Sequence, residues 1–219
     1  MSGPEAQEIN RIKRGRGFIE GQPKPEARPC LLRWRGFNLL EKLSHTPDEW
    51  AIAPEWGRNN EPFRETDFEW IAAWGFNFVR LAMSYQCWTD PRNPRRLLEK
   101  HLQEIDQAVA YGRRHGLHVS LNFCRAPGYY IQPHEPNNLW SNEEMLDLCA
   151  WHWSQFARRY KGIPGLQLSF DLINEPNEVS EAAYIRVVQR LVKDIREEDP
   201  VRLIIAEGIN ANTSICTNW

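Results

Sequence analysis

Five apolar runs, the last four each preceded by an amphipathic stretch, constrain the fold of this chain more than anything else in it. Residues 30–40, 76–82, 117–123, 166–173 and 202–206 read as strands. Residues 67–74, 97–115, 142–160 and 180–198 carry apolar side chains at helical spacing between them. Such alternation means parallel strands joined by crossover helices. Two architectures satisfy it: an open, doubly wound sheet, or part of an α/β (β/α)8 barrel of the TIM type. No glycine-rich phosphate loop follows the first run, which counts against a nucleotide-binding open sheet. A complete barrel has eight strands and about 250 residues. With 219 residues and five runs, this chain supplies about five of the eight strand–helix units.

Local signals support the division. Thr66 is a candidate N-cap for the first helix, which turns Phe68, Ile71 and Ala72 to one side and stops at Gly75. The second helix carries Leu98, Leu102, Ile105, Ala108, Val109 and Tyr111 and ends at Gly116. Met145, Leu148, Cys149, Trp153 and Phe156 form the stripe of the third. Ser180 caps the fourth, with Ile185, Val188, Leu191, Val192 and Ile195 inward. Residues 1–29, rich in glycine, proline and charge, read as a flexible lead-in to a barrel domain over 30–219. Residues 44–65 form a long loop, 91–94 a shorter one, 124–130 an aromatic turn and 209–219 a polar tail.

Composition removes several function classes. A net charge of −2 indicates neither a nucleic acid partner nor an anionic membrane surface. No apolar run approaches the ~20 residues of a membrane helix. Residues 1–17 are polar and basic with no apolar segment, so they are not a secretory signal. The five cysteines, at 30, 87, 124, 149 and 216, show neither a CxxC pair nor a Cys/His cluster. Free thiols are therefore expected, with no disulfide framework and no metal. Most of the ten tryptophans read as core. Trp88, Trp140 and Trp219 fall near strand ends or loops and are candidates to stack on the flat apolar faces of sugars.

In a parallel α/β fold, chemistry gathers beyond the carboxyl ends of the strands. The residues expected there are Asn38, Arg80, Cys124, Asn174, Glu175 and Glu207. They suit sugar hydroxyls. They contain no Ser/His/Asp set and no cluster of metal ligands. The fourth run ends in Asn174-Glu175-Pro176, where the proline prevents the ladder from continuing.

Four segments carry a resemblance, in order, to glycoside hydrolase family 5, the cellulase-like (β/α)8 enzymes. Leu172-Ile173-Asn174-Glu175-Pro176 resembles the family's Asn-Glu-Pro signature, and Arg35-Gly36-Phe37-Asn38 its first strand. Gly75-Phe76-Asn77-Phe78-Val79-Arg80-Leu81 is similar to its second strand, and Ala126-Pro127-Gly128 to the turn after its third. The resemblance implies retaining hydrolysis of a β-linked glucan or mannan without a cofactor, and an extracellular setting. Glu175 would be the proton donor and then the general base. Asn174 would bind the sugar 2-hydroxyl, and Arg80 would brace the nucleophilic carboxylate. Cys124 stands where the family has a histidine, and with Asn38, Trp88 and Trp140 it completes the expected substrate contacts.

A retaining glycosidase needs a second carboxylate about 5 Å from the first. The family carries it on the seventh strand, so the nucleophile is expected not to be in this chain. Glu207 is expected beside Glu175, in a position to which the family gives no nucleophilic role. The chain alone is expected to hydrolyse little or nothing. The exposed edges of its first and fifth strands are expected to pair with a missing C-terminal part or another chain. The alternative is a non-catalytic carbohydrate-binding or scaffold protein on a partial barrel.

Overall fold

The computed structural model describes residues 33–40, 63–131 and 138–211. The lead-in 1–29, most of the loop 44–65, and Cys30, Cys216 and Trp219 lie outside the described residues. The elements run β1 (Gly36–Leu39), α1 (Glu65–Ala73), β2 (Phe78–Ser84), a 3-10 turn (Tyr85–Trp88), β3 (Thr89–Asp90), β4 (Asn93–Leu97), α2 (Glu99–Arg114), β5 (His118–Ala126), β6 (Tyr129–Tyr130), α3 (Glu143–Arg159), β7 (Leu168–Asp171), α4 (Glu181–Glu198) and β8 (Leu203–Ile205).

Five strands pair in the order β1-β2-β5-β7-β8, every neighbouring pair parallel, as the alternation predicts. Their register sorts the side chains. One row aligns Phe37, Val79, Val119 and Leu168; the next like it aligns Leu39, Leu81, Leu121, Phe170 and Ile204. These apolar rows meet the helices. Phe68 and Ile71 of α1, Ile105 and Val109 of α2, Trp153 and Phe156 of α3, and Val188 and Leu191 of α4 share one buried cluster with all of them but the edge residues Phe37 and Ile204. Trp153 stacks on Phe123 at 3.9 Å and lies 5.0 Å from Phe170. Gly112 lets α2 close on the sheet: a Cβ there would lie 2.2 Å from a Val119 methyl.

The alternate rows are polar. Asn38, Arg80, Ser120 and Ser169 align, and beyond them Asn122 aligns with Asp171. A strand alternates its side chains between faces, so these groups share the face turned away from the helices. At the amino ends of the strands that face is closed by rings: His118 stacks on Trp34 at 3.8 Å and on Phe78 at 5.5 Å.

The edges differ from the centre. Val79 is fully buried, whereas its row-mate Phe37 on the edge strand is 39 % exposed, beside exposed Trp70 and Trp74. On the opposite edge Ile204 is only partly buried, although its partner Phe170 is fully covered.

Three expectations need correction. The helix α1 starts behind Arg64, not Thr66, and has no side-chain cap. Of the expected loop at 91–94, Pro91 and Arg92 are the turn of a small antiparallel hairpin, β3 with β4, and Asn93 and Pro94 already belong to β4. Strand β5 runs on to Ala126, so Cys124 lies within it, and there it begins a short antiparallel pairing with β6.

Candidate active site

Arg80 is the hub of the polar face. Its Nε donates to Asp171 Oδ2 at 2.7 Å. Its Nη2 donates to Asn174 Oδ1 at 2.8 Å and to Glu207 Oε1 at 2.6 Å. A longer contact of 3.4 Å joins Nη1 to Asn38 Oδ1. Strands β1, β2 and β7 and the turns after β7 and β8 thus converge on one guanidinium.

Charge and burial are in tension here. The Arg80 side chain is 15 % exposed and that of Asp171 only 4 %. Burial works against the Arg80 cation, but Asp171, Glu207 and Cys124 outweigh it and raise its pKa. Two carboxylates share that one cation. Burial pushes Asp171 up to about 7, against the pull of Arg80, and Glu207 adds to the push. The second oxygen of Asp171 is buried without a donor.

The Asn174-Glu175-Pro176 turn leaves β7 in a conformation its sequence does not favour. Glu175 has φ of +46°, a left-handed value rare outside glycine. The turn is pinned at three points. Glu207 Oε2 accepts the Glu175 N–H at 2.8 Å. The Tyr129 hydroxyl donates to the Glu175 carbonyl at 2.7 Å. The Asn210 N–H donates to the Pro176 carbonyl at 2.8 Å. The backbone is fixed while the Glu175 side chain is exposed, and its carboxylate forms no hydrogen bond or ion pair with another described residue. Asn174 is 8 % exposed. With its oxygen on Arg80, its amide nitrogen is the group left to donate.

The expected site residues therefore separate. Asn38, Arg80, Asn174, Glu175 and Glu207 come together, and Cys124 lies close enough to Arg80 to act on its charge. Trp140 stands one layer out: half-buried, it packs edge-on against Tyr129 at 5.1 Å. Trp88 is no sugar platform in this structure. The 3-10 turn directs it inward, where it is fully buried against Phe123 and Phe156 and donates to His152 Nδ1 at 3.4 Å. Glu207 does reach Glu175, but both its oxygens are occupied, one by Arg80 and one by a backbone N–H.

Two residues of the frame escaped the sequence reading. Asp171 was hidden inside what read as one apolar run; the alternation of Ser169 and Asp171 with the apolar positions was its signal. Tyr129 sits in the aromatic turn, and nothing local marks its bond to Glu175. Among the described residues no group of His, Cys, Asp and Glu could hold a metal ion, and no helix is long and apolar enough to cross a membrane. Cys87, Cys124 and Cys149 form no disulfide.

Residues 28–218 match the family described as cellulase (glycosyl hydrolase family 5). Endoglucanase C of Acetivibrio thermocellus is 29 % identical over 149 residues, covering 68 % of this chain and 43 % of the relative. A beta-xylosidase of Phanerodontia chrysosporium is 23 % identical over 152 residues, covering 67 % of this chain and 32 % of the relative. A solved glycoside hydrolase superposes with a TM-score of 0.71 at 32 % identity, over 81 % of this chain and 54 % of that one. The chain thus spans less than half the length of these two curated relatives.

Proposed function

The chain belongs to glycoside hydrolase family 5, and on that premise we propose that it carries the acid/base half of a retaining glycosidase acting on a β-linked glucan or mannan. Glu175 is the proton donor to the leaving oxygen and then the base that activates water. Asn174 offers its amide nitrogen to the sugar 2-hydroxyl, and Arg80 holds the amide in that orientation. Asn38 and Cys124 line the same mouth, and Trp140 backs it. One observation supports this reading above the others: the Glu175 backbone is held at both its N–H and its carbonyl, and Pro176 at its carbonyl, while the Glu175 side chain is left exposed.

The second carboxylate lies in strand–helix units beyond the five described. Asp171 and Glu207 are the carboxylates tied to Arg80: both oxygens of Glu207 are occupied, and the Asp171 carboxyl is buried away from the mouth. The half-exposed rows at β1 and β8 are the faces on which those further units pack, a strand at each edge and helices over Phe37 and Ile204. Hydrolysis therefore requires the completed barrel.

The test has two parts. The chain alone binds cello- or manno-oligosaccharides weakly and fails to cleave even an activated aryl β-glycoside. In a version extended by the remaining units, Glu175→Gln lowers kcat sharply for poor leaving groups and much less for activated ones. Unchanged turnover of a poor leaving group would remove Glu175 from the acid/base role. Binding that persists with no turnover in the extended version would instead favour a non-catalytic carbohydrate-binding protein.

A further inference from the structure

Accepting Glu175 as the acid/base, we propose that Glu207 is the positioning residue that sets it. A closed ring of hydrogen bonds supports this. Arg80 Nη2 donates to Asn174 Oδ1 at 2.8 Å and to Glu207 Oε1 at 2.6 Å, and Glu207 Oε2 accepts the Glu175 N–H at 2.8 Å. The peptide linking Asn174 to Glu175 closes the ring. Glu207 is fixed from its own side, because the Tyr184 hydroxyl donates to its backbone carbonyl.

The chemistry of position 207 is narrow. Two donors, a guanidinium N–H and a backbone N–H, point at it from different directions. The Glu207 carboxylate satisfies both with a separate oxygen for each. Glutamine has one oxygen and an NH2 group, so it must turn a donor toward one of the two N–H groups. Aspartate is one methylene shorter. The ring also accounts for the backbone: φ of +46° at Glu175 is disfavoured for a residue with a Cβ and persists only where its surroundings hold it. Charge-assisted bonds such as those of Glu207 are the stronger kind. Through this ring the orientation of Arg80, set by Asp171, reaches the backbone that carries the acid/base.

The experiment uses the chain itself and no substrate. Amide hydrogen exchange is followed by NMR at position 175 and, as reference, at Leu121 and Phe170 in the sheet. In Glu207→Ala and Glu207→Gln the amide of Glu175 exchanges about tenfold faster or more, while the two sheet amides keep their rates. Asp171→Asn removes the charge but keeps a side-chain oxygen to accept from Arg80 Nε, so Arg80 keeps its orientation, the ring stays closed and position 175 stays protected. Exchange at position 175 within about twofold of wild type in both Glu207 variants would overturn the proposal, and so would an equal acceleration at all three amides. Glu207→Gln keeps the size and fold of the site should Glu207→Ala unfold. Because nothing is turned over, failure of Glu175 in the leaving-group test leaves this readout standing.

Discussion

Arg80 and Asp171 form an ion pair of 2.7 Å inside the sheet, and the same cation also serves Glu207 at 2.6 Å. One positive charge between two carboxylates makes the cluster dependent on pH in a definite direction. The folded-state pKa of Asp171 is raised to about 7, above the ordinary value of 3.8. Its contribution to stability is therefore complete below pH 4 and is lost as pH rises through 7. Asp171→Asn removes that loss, so the variant gains on the wild type between pH 5 and pH 8 in urea titrations. Arg80→Met does the reverse. It leaves the buried Asp171 and the partly buried Glu207 without their cation, costs about 3 kcal/mol or more, and costs more at pH 8 than at pH 5.

His118 and His152 pull in the opposite direction. Burial lowers His118 to about 4 and His152 to about 3. His118 holds its proton on Nδ1, which meets the Leu166 carbonyl at 3.0 Å, so its Nε2 accepts from the Ser169 hydroxyl at 2.8 Å. A depressed pKa gives stability that is complete above the unfolded value of about 6.5 and is lost as pH falls toward 4. For His118 the full loss is on the order of 3 kcal/mol. Thermal unfolding from pH 7 to pH 4 should show Tm falling in the wild type and falling less in His118→Gln. A parallel decline in both would remove His118 from the account.

The core of this fold is legible because burial by helices demands whole rows of apolar side chains. Val79, Leu81, Val119, Leu121, Leu168 and Phe170 mark their strands without help from elsewhere. The polar face is harder to read, because a polar residue inside a strand looks the same whether it faces solvent or a guanidinium. Asp171 shows this: its meaning lies in Arg80, 91 positions away. The hairpin was missed for a different reason. Strand β4 reads Asn-Pro-Arg-Arg-Leu, is largely exposed, and offers no apolar alternation. Trp88 was misplaced because proximity to a strand end says nothing about which way a 3-10 turn aims its side chain.

A buried ion pair under the sheet gives a stability prediction independent of the site. Arg202 is 1 % exposed. It pairs with Asp199 at 2.7 Å and donates to the carbonyls of Leu168 at 3.0 Å and Tyr160 at 2.8 Å. It thereby ties the amino end of β7 and the end of α3 to the turn before β8. Asp199→Ala leaves the cation buried with carbonyls alone and should cost about 3–5 kcal/mol. Arg202→Met removes the charge as well as the pairing and also strands Asp199. The two losses should therefore be far from additive in the double variant, as urea midpoints would show.

Of the three tryptophans expected to face sugar, Trp88 and Trp140 lie within the described residues and should now behave differently. Trp88 is enclosed by Phe123, Phe156 and His152, so truncation opens a large cavity among rings that cannot collapse into it. Trp88→Ala should cost about 3–5 kcal/mol, while oligosaccharide affinity per folded molecule stays unchanged. Trp140 is half-buried, and its ring braces Tyr129, which holds the Glu175 carbonyl. Its indole N–H has no hydrogen-bond partner among the described residues. Trp140→Ala should therefore cost less stability than Trp88→Ala but weaken oligosaccharide binding, through the loosened Tyr129 and any direct contact. Trp140→Phe, which keeps the ring against Tyr129 and removes the N–H, separates those two causes. Full affinity in Trp140→Phe assigns the effect to packing against Tyr129, and a loss equal to that of Trp140→Ala assigns it to the larger indole surface. Unchanged binding in both variants would remove Trp140 from the site.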